Sequence, residues 1–274
     1  MGKKIFDIIW YIVLFLLLQL VCFIITAFVM MAVRGTGMDG YMKLMEDPYT
    51  LVIGSSLSCV ATIAIYHWRR YAQLSARWLR TRQWTLLLWV AIMMLGTLLP
   101  VEYLYEQLGI EMTEEVTRIF AVMMSVQWGY FALAILVPIA EEIVFRGAIL
   151  RVLLSITGKR FHWVAIVISA LIFGAMHGNL AQFVNAALFG LLLGWIYYRT
   201  GSIVPTILMH WVNNTMSYIT FRLMPNNPDA HLIDFFGGNE RTMLLSVVFS
   251  LLIFIPALYQ VNIRSKSNTQ TKQG

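Results

Sequence analysis

The sequence predicts an all-α fold, a polytopic transmembrane helical bundle of about eight spans, and three observations carry that prediction. Of the 274 residues, 59% are hydrophobic and only 12% charged, against roughly 45–50% and about 25% in a soluble domain. Mean hydropathy is +0.72, more apolar surface than a soluble core of this length can bury. The apolar residues also fall into runs near the roughly 20 residues that cross a bilayer core of about 30 Å.

Taken in order, spans are expected at Ile5–Val33, Leu51–Tyr66, Trp84–Leu99, Ile119–Leu150, Trp163–Met176, Leu180–Tyr198, Ile203–Phe221 and Met243–Ile263. The first follows Lys3 and Lys4. It is too long for a signal-peptide core and lacks a small-residue cleavage site, so it reads as retained. Between the second and third spans, His67–Gln83 carries Arg69, Arg70, Arg77, Arg80 and Arg82 without an acid, interleaved with Trp68 and Trp78 and followed by Trp84. This stretch reads as a topology determinant that also binds anionic lipid, or as an interfacial amphipathic segment. The next connection, Val101–Arg118, carries Glu102, Glu106, Glu111, Glu114 and Glu115 and reads as an external loop. Arg151, Lys159 and Arg160, then Arg199, then Arg264, Lys266 and Lys272 mark the basic side again. The positive-inside rule makes those loops cytoplasmic and places both termini inside a cell membrane. The polar tail from Arg264 to Gly274 is expected to be disordered. Three stretches follow: residues 1–118 with the first three spans, 119–221 as the core that carries the chemistry, and 222–274 with the last span and tail.

Net charge is +6, but the cations sit in short loops between apolar runs, which excludes a nucleic-acid partner and leaves membrane lipid. Cys22 and Cys59 lie inside apolar runs and read as small buried hydrophobes.

The informative residues are polar groups where burial is expensive. An ionisable side chain near the bilayer centre costs on the order of 2.5–3.5 kcal/mol. The fourth span nevertheless holds Glu141, Glu142 and Arg146. Glu142 and Arg146 are i,i+4 with the acid on the favoured N-terminal side, so they can neutralise each other. Glu141 is rotated about 100° away, its own i+4 position is Phe145, and it must meet groups on other helices. The fifth span ends at His177 and the seventh carries His210, Asn213 and Asn214. The pairs Phe173/His177 and His210/Asn214 share helix faces at i,i+4 spacing. A carboxylate near an imidazole in a dry pocket suits acid/base work. A second imidazole and an amide can donate to a developing oxyanion. This is the inventory for attack of an activated water on a carbonyl. Taken singly, each group has a plainer reading. His210 alone is a packing hydrogen bonder, Glu142–Arg146 alone a structural pair, and Glu141 alone a proton or cation site of a transporter. Gly190 and Gly194 form a small-xxx-small packing pattern, and Gln182 and Asn185 either line the cavity or pack.

Glu141-Glu142-xxx-Arg146, Phe173-xxx-His177 and His210-xxx-Asn214, in that order on successive helices, resemble the CPBP family. These are the CAAX proteases and bacteriocin-processing enzymes, also called the Abi or type II CAAX protease family. The resemblance runs almost continuously from Glu141 to Asn214 and includes Phe145-Arg146-Gly147 and Tyr198-Arg-Thr-Gly-Ser202. It implies an eight-helix intramembrane endopeptidase whose core is spans four to seven. In eukaryotic members the reaction removes the last three residues of prenylated CAAX proteins; prokaryotic members are linked to peptide maturation, bacteriocin self-immunity or signalling. The implied substrate is therefore a membrane-associated peptide or lipid-modified protein. By motif, Glu141 activates water with His177 assisting, His210 and Asn214 stabilise the oxyanion, and Glu142, Arg146 and Phe173 support them, with no cofactor. One point sits awkwardly: counting along the fifth span puts His177 near the outer face, whereas Glu141 and Asn214 count to mid-membrane.

Three competing readings use the same residues. Glu141, His177 and His210 form a His₂Glu set that would hold a catalytic zinc. A non-catalytic membrane scaffold or immunity protein would bind partners and cleave nothing, although motif decay is absent here. A transporter would need discontinuous helices, and apart from Pro138 the relevant spans look continuous.

Overall fold

A computed structural model describes residues 1–72, 83–223 and 231–270, and every regular element among them is helical. The helices are α1 Gly2–Arg34, α2 Pro48–Trp68, α3 Trp84–Gln107, α4 Glu114–Ser125, α5 Gln127–Thr157, α6 His162–Ala175, α7 Leu180–Thr200, α8 Val204–Leu223 and α9 Glu240–Gln270. Short helical turns at Met38–Gly40, Tyr41–Met45 and Leu232–Phe236 join them. Arg77, Trp78, Arg80 and Arg82 of the basic stretch lie outside the described residues, as does Lys272. Trp68 and Trp84, which bracket the basic stretch, are both exposed, as expected of an interfacial aromatic belt.

This is a multi-pass membrane protein. Among the described residues, five helices are long and apolar enough to cross a bilayer: α1, α2, α3, α7 and the Glu240–Ser265 part of α9. A sixth is reached if α4 and α5 form one span. Of the eight expected spans, the fifth is a helix of 14 residues, about 21 Å at 1.5 Å per residue. The seventh, α8, has 20 residues but contains His210, Asn213, Asn214, Thr215 and Ser217, which lower its hydropathy. The fourth, expected to run unbroken over Ile119–Leu150, is bent by 112° between α4 and α5. Val126 is extended at the bend (φ −93°, ψ 145°). A Cβ on Gly129 would lie 2.0 Å from the Met123 carbonyl oxygen, so only glycine lets the chain fold back there.

Two further expectations are corrected. The acidic connection Val101–Arg118 is mostly helical: α3 extends to Gln107 and α4 starts at Glu114. Glu102 and Glu106 therefore ride on α3, where Glu106 accepts from the Leu232 backbone N–H. The tail expected to be disordered from Arg264 continues α9 to Gln270. Arg264 donates to Gln260 one turn back at 3.2 Å, while Arg199 donates to the Asn262 carbonyl at 2.6 Å and to Ser265 Oγ at 3.1 Å. The two bonds from Arg199 hold α9 on α7 as far as Ser265.

The chain divides into two compact units. The first comprises Met1–Leu74 with Glu114–Ala165, the second Ser75–Thr113 with Ile166–Gly274. In the first, Tyr66 of α2 is fully buried and donates its hydroxyl to the Tyr11 carbonyl of α1. Phe15 of α1 meets Phe145 of α5 edge-on at 5.8 Å. At one end of this unit Lys4 reaches the Ser155 carbonyl (3.1 Å) and Arg151 the Tyr71 carbonyl (2.7 Å). The opposite end is tied by Arg34–Asp47 and Arg118–Glu46, both at 2.7 Å. The N-terminus, the segment at Tyr71 and the last turns of α5 thus share an end of this unit. Cys22 and Cys59 are both buried thiols, as expected.

In the second unit, Leu86, Val90 and Met93 of α3, Leu193 and Ile196 of α7, Met209 of α8, and Ala257 and Val261 of α9 form one buried cluster. Gly96 of α3 lies so close to α9 that a Cβ would sit 2.7 Å from the Phe254 backbone nitrogen.

Candidate active site

The first unit positions the two carboxylates on α5. Pro138 has no N–H for the helical ladder and its ring crowds the carbonyl of residue i−4. Around it the helix widens to π-helical turns over Phe131–Leu136, tightens to an α-helical turn over Val137–Glu142, and widens again over Ile143–Leu150. Glu141 and Glu142 thus occupy the end of a single α-turn flanked by π-helix, a feature that recurs at functional sites. Glu142 accepts from Arg146 Nη1 at 2.8 Å, with side-chain exposures of 0% and 1%. The ion pair anticipated from the spacing is therefore formed and dry. Glu141 is half-buried beside it.

The second unit positions the imidazoles. Helix α6 packs on α7 through two glycines. A Cβ on Gly174 would lie 2.7 Å from the Phe183 carbonyl oxygen, and one on Gly194 would lie 2.9 Å from Ile166 Cγ2. The helix ends at Ala175, so His177 stands beyond it in the turn to α7 rather than on its last face. Its ring nonetheless reaches back. His177 Nδ1 is 3.0 Å from the Phe173 carbonyl oxygen. A carbonyl can only accept, so Nδ1 carries the proton, and in the neutral ring Nε2 is the acceptor. Helix α6 is 14 residues long, the same length that the sequence gives the fifth span, so the count that puts His177 nearer the outer face is unchanged.

Phe173 is the pivot of this unit. Its ring, 2% exposed, meets the His177 ring edge-on at 5.2 Å and the His210 ring edge-on at 6.0 Å. Phe189 of α7 meets the His210 ring edge-on at 5.3 Å, and His210 is buried. One turn further along α8, Asn214 Oδ1 accepts from Asn213 Nδ2 at 3.1 Å. That bond fixes the Asn214 amide and turns its Nδ2 donors away from Asn213.

Phe173, His177, His210 and Asn214 therefore belong to one unit, and Glu141, Glu142 and Arg146 to the other. Neither unit by itself gathers three His, Cys, Asp or Glu side chains at metal-ligand spacing among the described residues. Of the remaining candidates, Gln182 is drawn into the turn after His177 by Asn179, and Asn185 is exposed. The residues that sequence reasoning passed over are Phe189, Gly174 and Asn179. The last had a signal: Asn179-Leu-Ala-Gln182 ahead of an apolar run has the spacing of a helix-capping box.

Residues 122–216 match the family model described as Type II CAAX prenyl endopeptidase Rce1-like. The matched stretch begins on α4 and ends on α8, so it contains Glu141, Glu142, Arg146, Phe173, His177, His210 and Asn214 together, and over it the chain is similar to a family of peptidases. Helices α1 to α3 and α9 lie outside the matched residues. Neither the curated proteins nor the solved structures compared with the chain gave a match.

Proposed function

We propose that the protein is an intramembrane endopeptidase of CAAX type that cleaves a prenylated or otherwise membrane-bound peptide by direct attack of water. The observation that carries the reading is that one family match, residues 122–216, spans all seven candidate residues. In this reading the Glu141 carboxylate takes a proton from the attacking water, with His177 Nε2 sharing that proton. The water oxygen bonds to the scissile carbonyl carbon. The resulting oxyanion is held by the Asn214 amide and the His210 imidazole. Collapse of that intermediate expels the amine, which takes up the proton. Glu142 and Arg146 neutralise each other and keep the turn bearing Glu141 rigid. Both termini are placed on the cytoplasmic side by the loop charges.

A neutral His177 with its proton on Nδ1 also suits zinc ligation through Nε2, and Glu141, His177 and His210 would then hold a metal that polarises the carbonyl. We favour water activation without metal, because it gives Asn214 a role beside His210.

The test compares wild type with Glu141→Gln, reconstituted in lipid, on a farnesylated peptide ending in a CAAX sequence. Mass spectrometry of the released fragment reads the outcome. Release of the last three residues by wild type and its loss in Glu141→Gln supports the reading. Equal release by both variants overturns it. Loss of release on chelation, restored by zinc, would replace the water mechanism with the metal one.

A further inference from the structure

The turn that carries His177 is held from both sides, and the residue that holds the α7 side has no part in the chemistry above. His177 donates its backbone N–H to the Gly174 carbonyl at 3.1 Å, and its ring donates from Nδ1 to the Phe173 carbonyl at 3.0 Å. Both bonds tie it to the end of α6. Gly178 then turns the chain with φ +72°, a conformation that disfavours any side chain. Asn179 follows in extended conformation as the N-cap of α7. Its amide does two separate jobs. Oδ1 accepts from the Gln182 backbone N–H at 2.9 Å, which caps the helix. Nδ2 donates to the His177 carbonyl at 3.1 Å and to Gln182 Oε1. The far end of this arrangement is fixed as well, since the Tyr105 hydroxyl of α3 donates to the Ala181 carbonyl in the first turn of α7.

We propose that Asn179 is a positioning residue for His177. Its Nδ2 clamps the His177 carbonyl to the start of α7, so that the ring keeps its Nδ1 bond to Phe173 and presents Nε2 to the reaction. This rests on the role given to His177 above. Its argument is that the cap and the clamp use different atoms of one side chain. A helix cap needs only the oxygen, and Asp or Ser would serve as well as Asn. The clamp needs the amide donor, which Asp lacks. In Asn179→Asp a carboxylate oxygen would face the His177 carbonyl, which can only accept, and push the turn away. A displacement near 1 Å at a reacting group can cost about 100-fold in rate.

The experiment measures cleavage of the farnesylated CAAX peptide by the full chain in lipid, for wild type, Asn179→Asp and Asn179→Ala. It is paired with ¹⁵N spectra of histidine-labelled protein, in which the His177 signals are identified by their loss in His177→Gln. For Asn179→Asp the expected result is a kcat about 10- to 100-fold lower, a KM within about twofold of wild type and an unchanged thermal midpoint. The His177 spectrum should pass from one tautomer, protonated at Nδ1, to a mixture. Asn179→Ala should add a lower thermal midpoint, because it removes the cap too. A wild-type kcat in Asn179→Asp, or a fall in kcat with the tautomer unchanged, overturns the proposal and leaves Asn179 a helix cap. If Asn179→Asp does not fold, Asn179→Ser keeps the cap oxygen on a side chain too short for the clamp and gives the same comparison. Should Glu141→Gln cleave as well as wild type, the assigned reaction fails, and the tautomer comparison still decides whether Asn179 holds the His177 ring.

Discussion

Arg146 donates to Glu142 at 2.8 Å with neither side chain reaching solvent. A pair excluded from water stabilises little relative to a well-packed apolar pair, yet breaking it leaves an uncompensated charge at a cost of about 3–5 kcal/mol. Single substitutions Glu142→Gln and Arg146→Met should therefore each lower the thermal midpoint of the detergent-solubilised protein sharply. The double substitution should recover most of the loss. If the double variant is as unstable as the sum of the singles, the two side chains do not act as a pair.

The local part of this arrangement was legible in the sequence because helical spacing is local. Glu142 and Arg146, and Phe173 and His177, are four residues apart, and both pairs touch as that spacing implies. What spacing could not show is where the ladder changes. Pro138 marked a disturbance, but the π-helical turns on both sides of Glu141–Glu142 depend on how α5 packs, and no residue pattern announces them. The bend at Val126 was hidden for a similar reason: the stretch 119–139 is predominantly apolar, and hydropathy does not register a single extended residue. The end of α6 at Ala175 falls within one residue of the expected Met176, and Gly178 and Asn179 carry the stop and cap signals that follow it.

Glycine shows the same contrast and gives a prediction. Gly190 and Gly194 stood out by their spacing, whereas the tighter approach is at Gly174. A Cβ there would meet the Phe183 carbonyl, backbone that cannot rotate away, at 2.7 Å; at Gly194 it would meet the Ile166 side chain at 2.9 Å. Overpacking of this kind costs about 1–3 kcal/mol. Gly174→Ala should lower the thermal midpoint more than Gly194→Ala. It should also reduce kcat, because Gly174 accepts the His177 N–H. Equal effects of the two substitutions on midpoint and on kcat would contradict this ordering.

At the other end of the first unit, Asp47 caps α2. Its Oδ2 accepts from the Thr50 N–H at 2.9 Å and its Oδ1 pairs with Arg34 at 2.7 Å. Burial raises its pKa, but the Thr50 hydrogen bond and the Arg34 guanidinium outweigh burial and hold it below the ordinary aspartate value. A lowered carboxylate pKa adds stability that is complete above about pH 4 and is lost as pH falls through the native value. Thermal midpoints across that range should fall for wild type and change less for Asp47→Asn. Asp47→Ala should cost about 1 kcal/mol at neutral pH through loss of the cap, and Asp47→Asn less. A steeper acid loss in Asp47→Asn than in wild type would show that other carboxylates dominate.

Asn214 offers the sharpest separation of chemistry from structure. It is half-buried, and its amide is oriented by the bond from Asn213 to its oxygen. If Nδ2 donates to an oxyanion, the bond strengthens only as charge develops on the substrate oxygen. Removing it should then lower kcat by about 10²–10³ with little change in KM. Asn214→Ala is the direct test, and Asn213→Ala should produce a smaller fall of the same kind, because it removes one bond that orients the amide without removing the donor. Asn214→Asp retains size but replaces the donor by an acceptor and should be at least as slow as Asn214→Ala. An Asn214→Ala variant that raises KM while leaving kcat unchanged would move Asn214 from oxyanion stabilisation to substrate binding, since the lost interaction would then be equally strong before and during the reaction.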